Sequence, residues 1–260
     1  MKKFLITIVI TALISGAAFA ADSNVVSSAN VVGYSQLPLE PGGVFYLTTC
    51  NFVSESNTLV DIFGTNQLAQ SSSIGSCDRV VRWDPDTDTY QTYAQYTDGN
   101  FYKANSQIEF NGSPVVNPQI PLGEGLWIIS SDTASSTNTI SFSGDVVSVE
   151  TQTVDVVSDF QILSYPYSSD IPLNDTAFND SGATKSDTYS LCDKIAVWEN
   201  PTYQSYGLAA DGNWYKANDA VEWNTAPLAT NDIALSQGIW YIASGGFSWV
   251  ETNRYMSVFE

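Results

Sequence analysis

Histidine is missing from this sequence. Its absence removes the imidazole base, the Ser-His-Asp and Cys-His nucleophiles and every histidine-ligated metal site. Basic residues are scarce too: nine Lys and Arg stand against 28 Asp and Glu, a formal charge of −19. Affinity for nucleic acid rests on cationic contacts to phosphate, so nucleic acid is not an expected partner. The acidic residues are scattered singly among Ser, Thr and Asn, without the run that marks a disordered tail. They read as a solvated exterior that resists self-association by charge. Cysteine occurs three times, an odd count that leaves one thiol unpaired or paired between chains.

Long apolar runs are lacking, with one exception at the start. Lys2 and Lys3 precede an apolar stretch at 4–14, followed by Ala18-Phe19-Ala20. This is the pattern of a secretory signal peptide, residues 1–20, cleaved before Ala21. The stretch is shorter than the ~20 residues a membrane span requires, and no second one follows, so no membrane span is expected after cleavage. Cleavage would leave seven basic against 28 acidic residues, a formal −21. The expected location is outside the cell or on its outer surface. With 43% hydrophobic and 13% aromatic residues, the exported chain has ample material for a packed core.

Self-comparison divides the rest in two. Asn30-Val31-Val32 matches Asp145-Val146-Val147, Phe45 matches Phe160, and CDRVVRW at 77–83 matches CDKIAVW at 192–198, all at an offset of 115. The loop DPDTDT is two residues longer than its counterpart ENPT, and the offset then becomes 113. There YQTY at 90–93 pairs with YQSY at 203–206, and GLWII at 125–129 with GIWYI at 238–242. The organisation read from this is a linker at 21–29, a first unit at 30–144 and a second at 145–260. Short β-branched and aromatic runs separated by Gly, Pro, Asn and Asp predict an all-β protein of two tandem β-sandwich-like or small barrel domains. The one helical candidate is NTLVDIFG at 57–64, with Asn57 as N-cap and Leu59, Ile62 and Phe63 on one face. Cys50–Cys77 is the preferred disulfide, because both lie in the first unit and Tyr165 stands where Cys50 would recur, although Cys77 and Cys192 are matched positions.

Candidate sites each have a structural and a functional reading. DGNFYKAN at 98–105 returns as DGNWYKAN at 211–218; Asp-Gly-Asn between strands signals a tight hairpin, while the aromatics and lysine could form a duplicated ligand site from Phe101, Lys103, Trp214 and Lys216. Trp214, Trp223 and Trp249 occur in the second unit alone. Exposed together they would form an apolar platform for sugar rings, whereas Trp214 and Trp223 stand opposite Phe101 and Phe110 as core exchanges would. Trp83, Trp127, Trp198 and Trp240 occur in both units and suggest core packing. Asp84, Asp86 and Asp88 could converge on Ca²⁺, but the EF-hand glycine and twelfth-position Glu are absent, so a plain turn is the competing reading. Glu109 and Glu222 match each other, yet a glycosidase requires a paired carboxylate that neither has. Lys103 and Lys216, with nearby Asn105, Asn218 and these two glutamates, also include the residue types of intramolecular isopeptide bonds. No cofactor is expected beyond that Ca²⁺, and no enzyme.

NVVGY at 30–34, RWD at 82–84 and IPLGEGLWII at 120–129 resemble a group of uncharacterised secreted β-rich proteins of verrucomicrobial and lentisphaeral bacteria. In that group a unit opens on a similar Asn-Val-Val-Gly-Tyr and closes on a Pro-Gly-Glu-Gly-aromatic strand; here Leu122 replaces the Pro, and the second unit reads SQGIWYI. The resemblance implies export and β-structure and carries over no activity. The expected role is a non-enzymatic structural or surface-interaction component, able to assemble by strand exchange through NVVGYSQ. Its partner would be itself or another envelope protein. The alternatives are a carbohydrate-binding protein, whose partner is an extracellular polysaccharide, and an atypical glycan hydrolase.

Overall fold

The computed structural model describes residues 31–54, 56–84, 87–104, 115–199, 202–217 and 227–255. The protein is all-β. The strands of the first half are β1 Val32–Leu39, β2 Phe45–Thr48, β3 Phe52–Val53, β4 Arg79–Asp84, β5 Thr89–Gln95, β6 Phe101–Lys103, β7 Leu126–Ile129 and β8 Asn138–Val146. The second half has β9 Thr151–Val156, β10 Asp159–Ser164, β11 Ile171–Pro172, β12 Lys194–Glu199, β13 Thr202–Leu208, β14 Trp214–Lys216, β15 Asp232–Ile233, β16 Gly238–Ala243 and β17 Phe247–Thr252. Two five-stranded antiparallel sheets dominate, ordered β2-β7-β4-β5-β6 and β10-β16-β12-β13-β14. Smaller sheets, β1-β8-β3, β17-β9 and β11-β15, complete the layers. None of these sheets closes into a barrel, which sets the small-barrel alternative aside. β8 runs through Val146, where it pairs with Phe52. None of the described helices is long and apolar enough to cross a membrane.

Period-two burial builds each core. In β1 the side chains of Val32, Tyr34, Gln36 and Pro38 are exposed while Ser35 and Leu39 are buried, the alternation of a strand with one wet face. The first core gathers Phe63, Val80, Phe101, Ile128 and Phe142; the second gathers Phe178, Ile195, Trp214, Tyr241 and Trp249. Helix α1, Leu59–Phe63, buries Leu59, Ile62 and Phe63 as its periodicity requires, but its N-cap is Thr58 and not Asn57. Thr58 and Asp61 form a reciprocal capping box, and Asn57 instead takes a left-handed φ of 49° with its Oδ1 accepting from Ser54 N at 2.7 Å. The matching segment makes a 3₁₀ turn and the short α2, Phe178–Ser181, which buries Phe178.

The expected Cys50–Cys77 bridge is not formed. All three cysteines are free thiols: Cys50 packs against the first core, whereas Cys77 sits in a separate cluster with Ala94 and Ala104, and Cys50 donates to Phe52 O, Cys77 to Ile74 O and Cys192 to Tyr189 O. Burial pushes Cys50 and Cys77 up to about 11, so neither is a ready thiolate at neutral pH. The residue after each of the two matched cysteines is a buried aspartate. Asp78 accepts from Ala69 N and Ser131 N; Asp193 accepts from Thr184 N, Ser244 N and the Tyr241 hydroxyl. These carboxylates tie the start of β4 and of β12 to the loops that leave the neighbouring β7 and β16.

Candidate functional site

The halves meet where β7 and β16 begin. Gly125 N donates to Ile162 O at 3.1 Å and Ser164 N to Gly123 O at 2.8 Å. On the other side Thr49 N donates to Ser236 O at 3.2 Å, and Thr48 bridges Gln237. The leads into β7 and β16 therefore clamp the edge strands of the opposite half, β10 and β2 respectively. A Cβ on Gly125 would press on Ile162 and lie 2.8 Å from Leu163 O, and one on Gly238 would lie 3.1 Å from Thr48 O. This close approach explains why both GLW and GIW open on glycine.

Against expectation, the four matched tryptophans pack across this seam and not within the core of either half. Trp83 meets Trp240 at 5.7 Å and 71°, and Trp127 meets Trp198 at 5.8 Å and 78° between ring centroids and planes. Phe45 adds to Trp127 at 6.0 Å and Phe160 to Trp240 at 6.1 Å. Tyr90 adds to Trp83 at 4.9 Å, as Tyr203 does to Trp198 at 4.8 Å. Sequence-matched residues thus make matched, edge-to-face contacts, the geometry the ring quadrupole favours. Leu47, Val81 and Ile162 seal the strip beneath. Above it the rings stay in water: Phe45 is 49% exposed, Phe160 50%, Tyr90 46% and Tyr203 44%. Between Phe45, Tyr90, Trp127, Trp198 and Tyr203 lies an apolar groove of about 550 Å³.

Trp83 also walls a second, polar cleft of about 560 Å³, shaped by both halves. Arg82, Asp84, Gln91, Tyr93 and Lys103 line it from the first sheet, and Asp155 and Gln161 from the second half. At its base Arg82 grips Glu124 through two bonds, Nε to Oε1 at 2.5 Å and Nη2 to Oε2 at 2.7 Å, a bidentate pair with fixed geometry. Burial raises the Glu124 carboxyl above its ordinary value, and Arg82 opposes that rise. Val197 and Gln237 occupy the matched positions, so the second half has no such pair. Lys103 is exposed, with no ion-pair partner among the described residues.

The residues singled out in the sequence fall in several places. Phe101 and Trp214 are buried in their respective cores, Phe101 against Phe63 and Trp214 against Phe178 and Tyr241. Strand alternation turns them inward, and no ring face is left for a ligand. Trp249 is likewise buried, stacked on Phe178 at 4.0 Å. Lys103 reaches the cleft, while Lys216 is half-buried on β14. Asp84 lines the cleft, and Asp88 sits in a turn at φ 49°. Among the described residues no three Asp, Glu, Cys or His side chains converge on a metal position. Asp86, Asn105, Glu109, Asn218, Glu222 and Trp223 lie outside the described residues.

The repeated DGN motif is a self-braced hairpin turn. Gly99 and Gly212 take left-handed φ of 82° and 87°. Asp98 accepts from Asn100 N and the Tyr102 hydroxyl, and Asp211 accepts from Asn213 N and the Tyr215 hydroxyl. This accounts for the tyrosine beyond the turn, while Ala104 is small because it packs on buried Cys77. Sequence reasoning missed the seam, although its signal was present: Phe45, Trp83, Tyr90 and Trp127 all recur as aromatics, more than one small core accommodates. Comparison with protein-family models, curated proteins and solved structures finds no match to the chain.

Proposed function

We propose that this is an exported, non-enzymatic protein that acts by surface interaction, with the aromatic strip at the seam as its contact face. The observation that carries the reading is the row of half-exposed rings from both halves. Contiguous exposed apolar surface on a soluble domain marks interaction sites. The signal-peptide pattern at 1–20, the lack of histidine and the acidic exterior support the same reading. The test is co-sedimentation of the mature chain with washed bacterial envelopes and insoluble polysaccharides, beside the Phe45→Ser, Phe160→Ser double variant. Wild type should pellet with at least one surface and the variant roughly tenfold less. Equal pelleting of a folded variant would remove the strip as the contact face, and release of reducing ends would overturn the non-enzymatic reading.

Self-assembly along β1 is a second reading, favoured by one observation. Val146 N bonds Val31 O, so alternation turns the backbone N–H and C=O groups of Val32, Tyr34 and Gln36 toward the edge of β1 that β8 does not cover. Pro38, facing the same way, offers no donor and blunts that edge. β1 is paired with β8 along its whole length and buries Leu39, so addition of a strand at this edge is favoured over exchange. Light scattering after gel filtration decides: a monomer at millimolar concentration ends this reading.

A further inference from the structure

We infer that the apolar groove at the seam binds a small quaternary ammonium ion, of the size and class of choline, against the faces of its aromatic rings. The inference concerns the groove alone and goes beyond the contact-face reading, which names no ligand. Strand register sets the groove on one face of the first sheet: Val81 stands opposite both Trp127 and Thr92, and Phe45 opposite Ile129. Tyr90 shares that face with Thr92 by alternation along β5. The second half closes the groove with Trp198 and Tyr203, which pair across β12 and β13. Five of the eight lining residues are therefore aromatic, and the groove's volume is about 550 Å³, within the range of small-ligand sites.

Three observations choose the occupant. No Asp, Glu, Lys or Arg lines the groove. A primary ammonium would give up its hydration there without a carboxylate in return, whereas a quaternary one has no N–H to satisfy and presents a shell of methyl groups to the apolar wall. Ring faces are the second observation. An edge-to-face contact covers a face of only one of its two rings, and Phe45, Tyr90 and Tyr203 all remain half-exposed. The negative face of each ring attracts a cation placed over it. Charge is the third. The formal −19 draws cations to the surface and repels anions, while Arg79, the cation on this face of β4, is paired with Asp132 at 3.2 Å. An uncharged ligand of the same shape meets the same walls but gains nothing from the ring faces or the field.

The test is titration calorimetry of the full mature chain with choline chloride, and with dimethylbutanol, its carbon isostere in which a tert-butyl group replaces the trimethylammonium. Protonated ethanolamine, the primary-amine counterpart, is the third probe. Choline should bind saturably and roughly tenfold more tightly than either comparator. Phe45→Leu and Tyr90→Leu, which keep an apolar side chain but lose the ring face, should each weaken choline roughly threefold to tenfold. Tyr90→Phe should restore most of what Tyr90→Leu loses, and Tyr34→Leu, remote on β1, should change nothing. The comparison of the three probes uses the wild-type chain, so it does not depend on any variant folding. No saturable choline binding, a comparator binding as tightly as choline, or undiminished binding by Tyr90→Leu would each overturn the inference. If choline fails but the Phe45→Ser, Phe160→Ser variant still loses envelope sedimentation, the cation falls and the contact face stands. If choline binds as expected and sedimentation is unaffected, the cation site stands and the contact face falls.

Discussion

At the residue scale, the carboxylates that folding shifts divide into two kinds, buried and exposed, that respond oppositely to pH. Burial holds Glu124 and Glu251 above the ordinary glutamate value of 4.5, so folding favours their protonated forms. Their contribution to stability is full below 4.5 and is lost as pH rises through the raised folded values. Asp61, Asp98 and Asp211 are instead held below 3.8: hydrogen bonds from Thr58, Asn100 and Asn213 favour their charged forms, at Asp211 against a larger opposing effect of burial. Stability from these three is present above 3.8 and lost as pH falls through the lowered values. The urea midpoint should therefore fall as pH rises from 4.5 toward neutrality through the raised values of the two glutamates, a fall that Glu251→Gln reduces. A flat profile over that interval would show that burial of the two glutamates does not reach the folding equilibrium. Asp193→Ala should cost about 3–5 kcal/mol in urea denaturation, since it strands two backbone donors and the Tyr241 hydroxyl. Such roles were invisible in the sequence, where CDR and CDK showed only that Asp recurs. The hairpin, by contrast, was legible, because Asp-Gly-Asn specifies its turn through local bonds alone.

At the element scale the strands and the buried face of α1 followed from periodicity, a property of neighbouring residues. The cap did not: Asn57 and Thr58 are both good N-caps, and what separated them was Asn57 taking a left-handed turn toward Ser54. The glycines that open β7 and β16 show the same limit, since GLW and GIW read as strands whose glycine has no local purpose. The backbone of the other half supplies that purpose. Gly125→Ala should cost about 2–4 kcal/mol in urea denaturation, because the new methyl meets a carbonyl that cannot rotate away. Gly238→Ala should cost less, its nearest obstacle being the side chain of Leu47 at 3.0 Å. Equal costs would mean that the seam backbone yields more readily than this packing indicates.

At the scale of the whole molecule, the seam makes the halves interdependent. Separating them would expose Leu47, Trp127 and Ile162 and break the clamp around Gly125. Because sequence-matched residues face one another there, the first half expressed alone through residue 148 should pair with itself. Light scattering should report twice the mass of the fragment; a soluble monomer would show that matched contacts do not suffice. By itself the sequence determined the strand-rich class, the hairpin turns and the acidic balance, since each depends on composition or on residues close along the chain. It also supplied the aromatics of the candidate site without their location. Only the tertiary structure decided that Phe101 and Trp214 are core, that Cys50 and Cys77 stay apart, and that four matched tryptophans meet across a seam. Those outcomes depend on which face of one sheet meets the other, and a periodic pattern records that a face is apolar without recording what covers it.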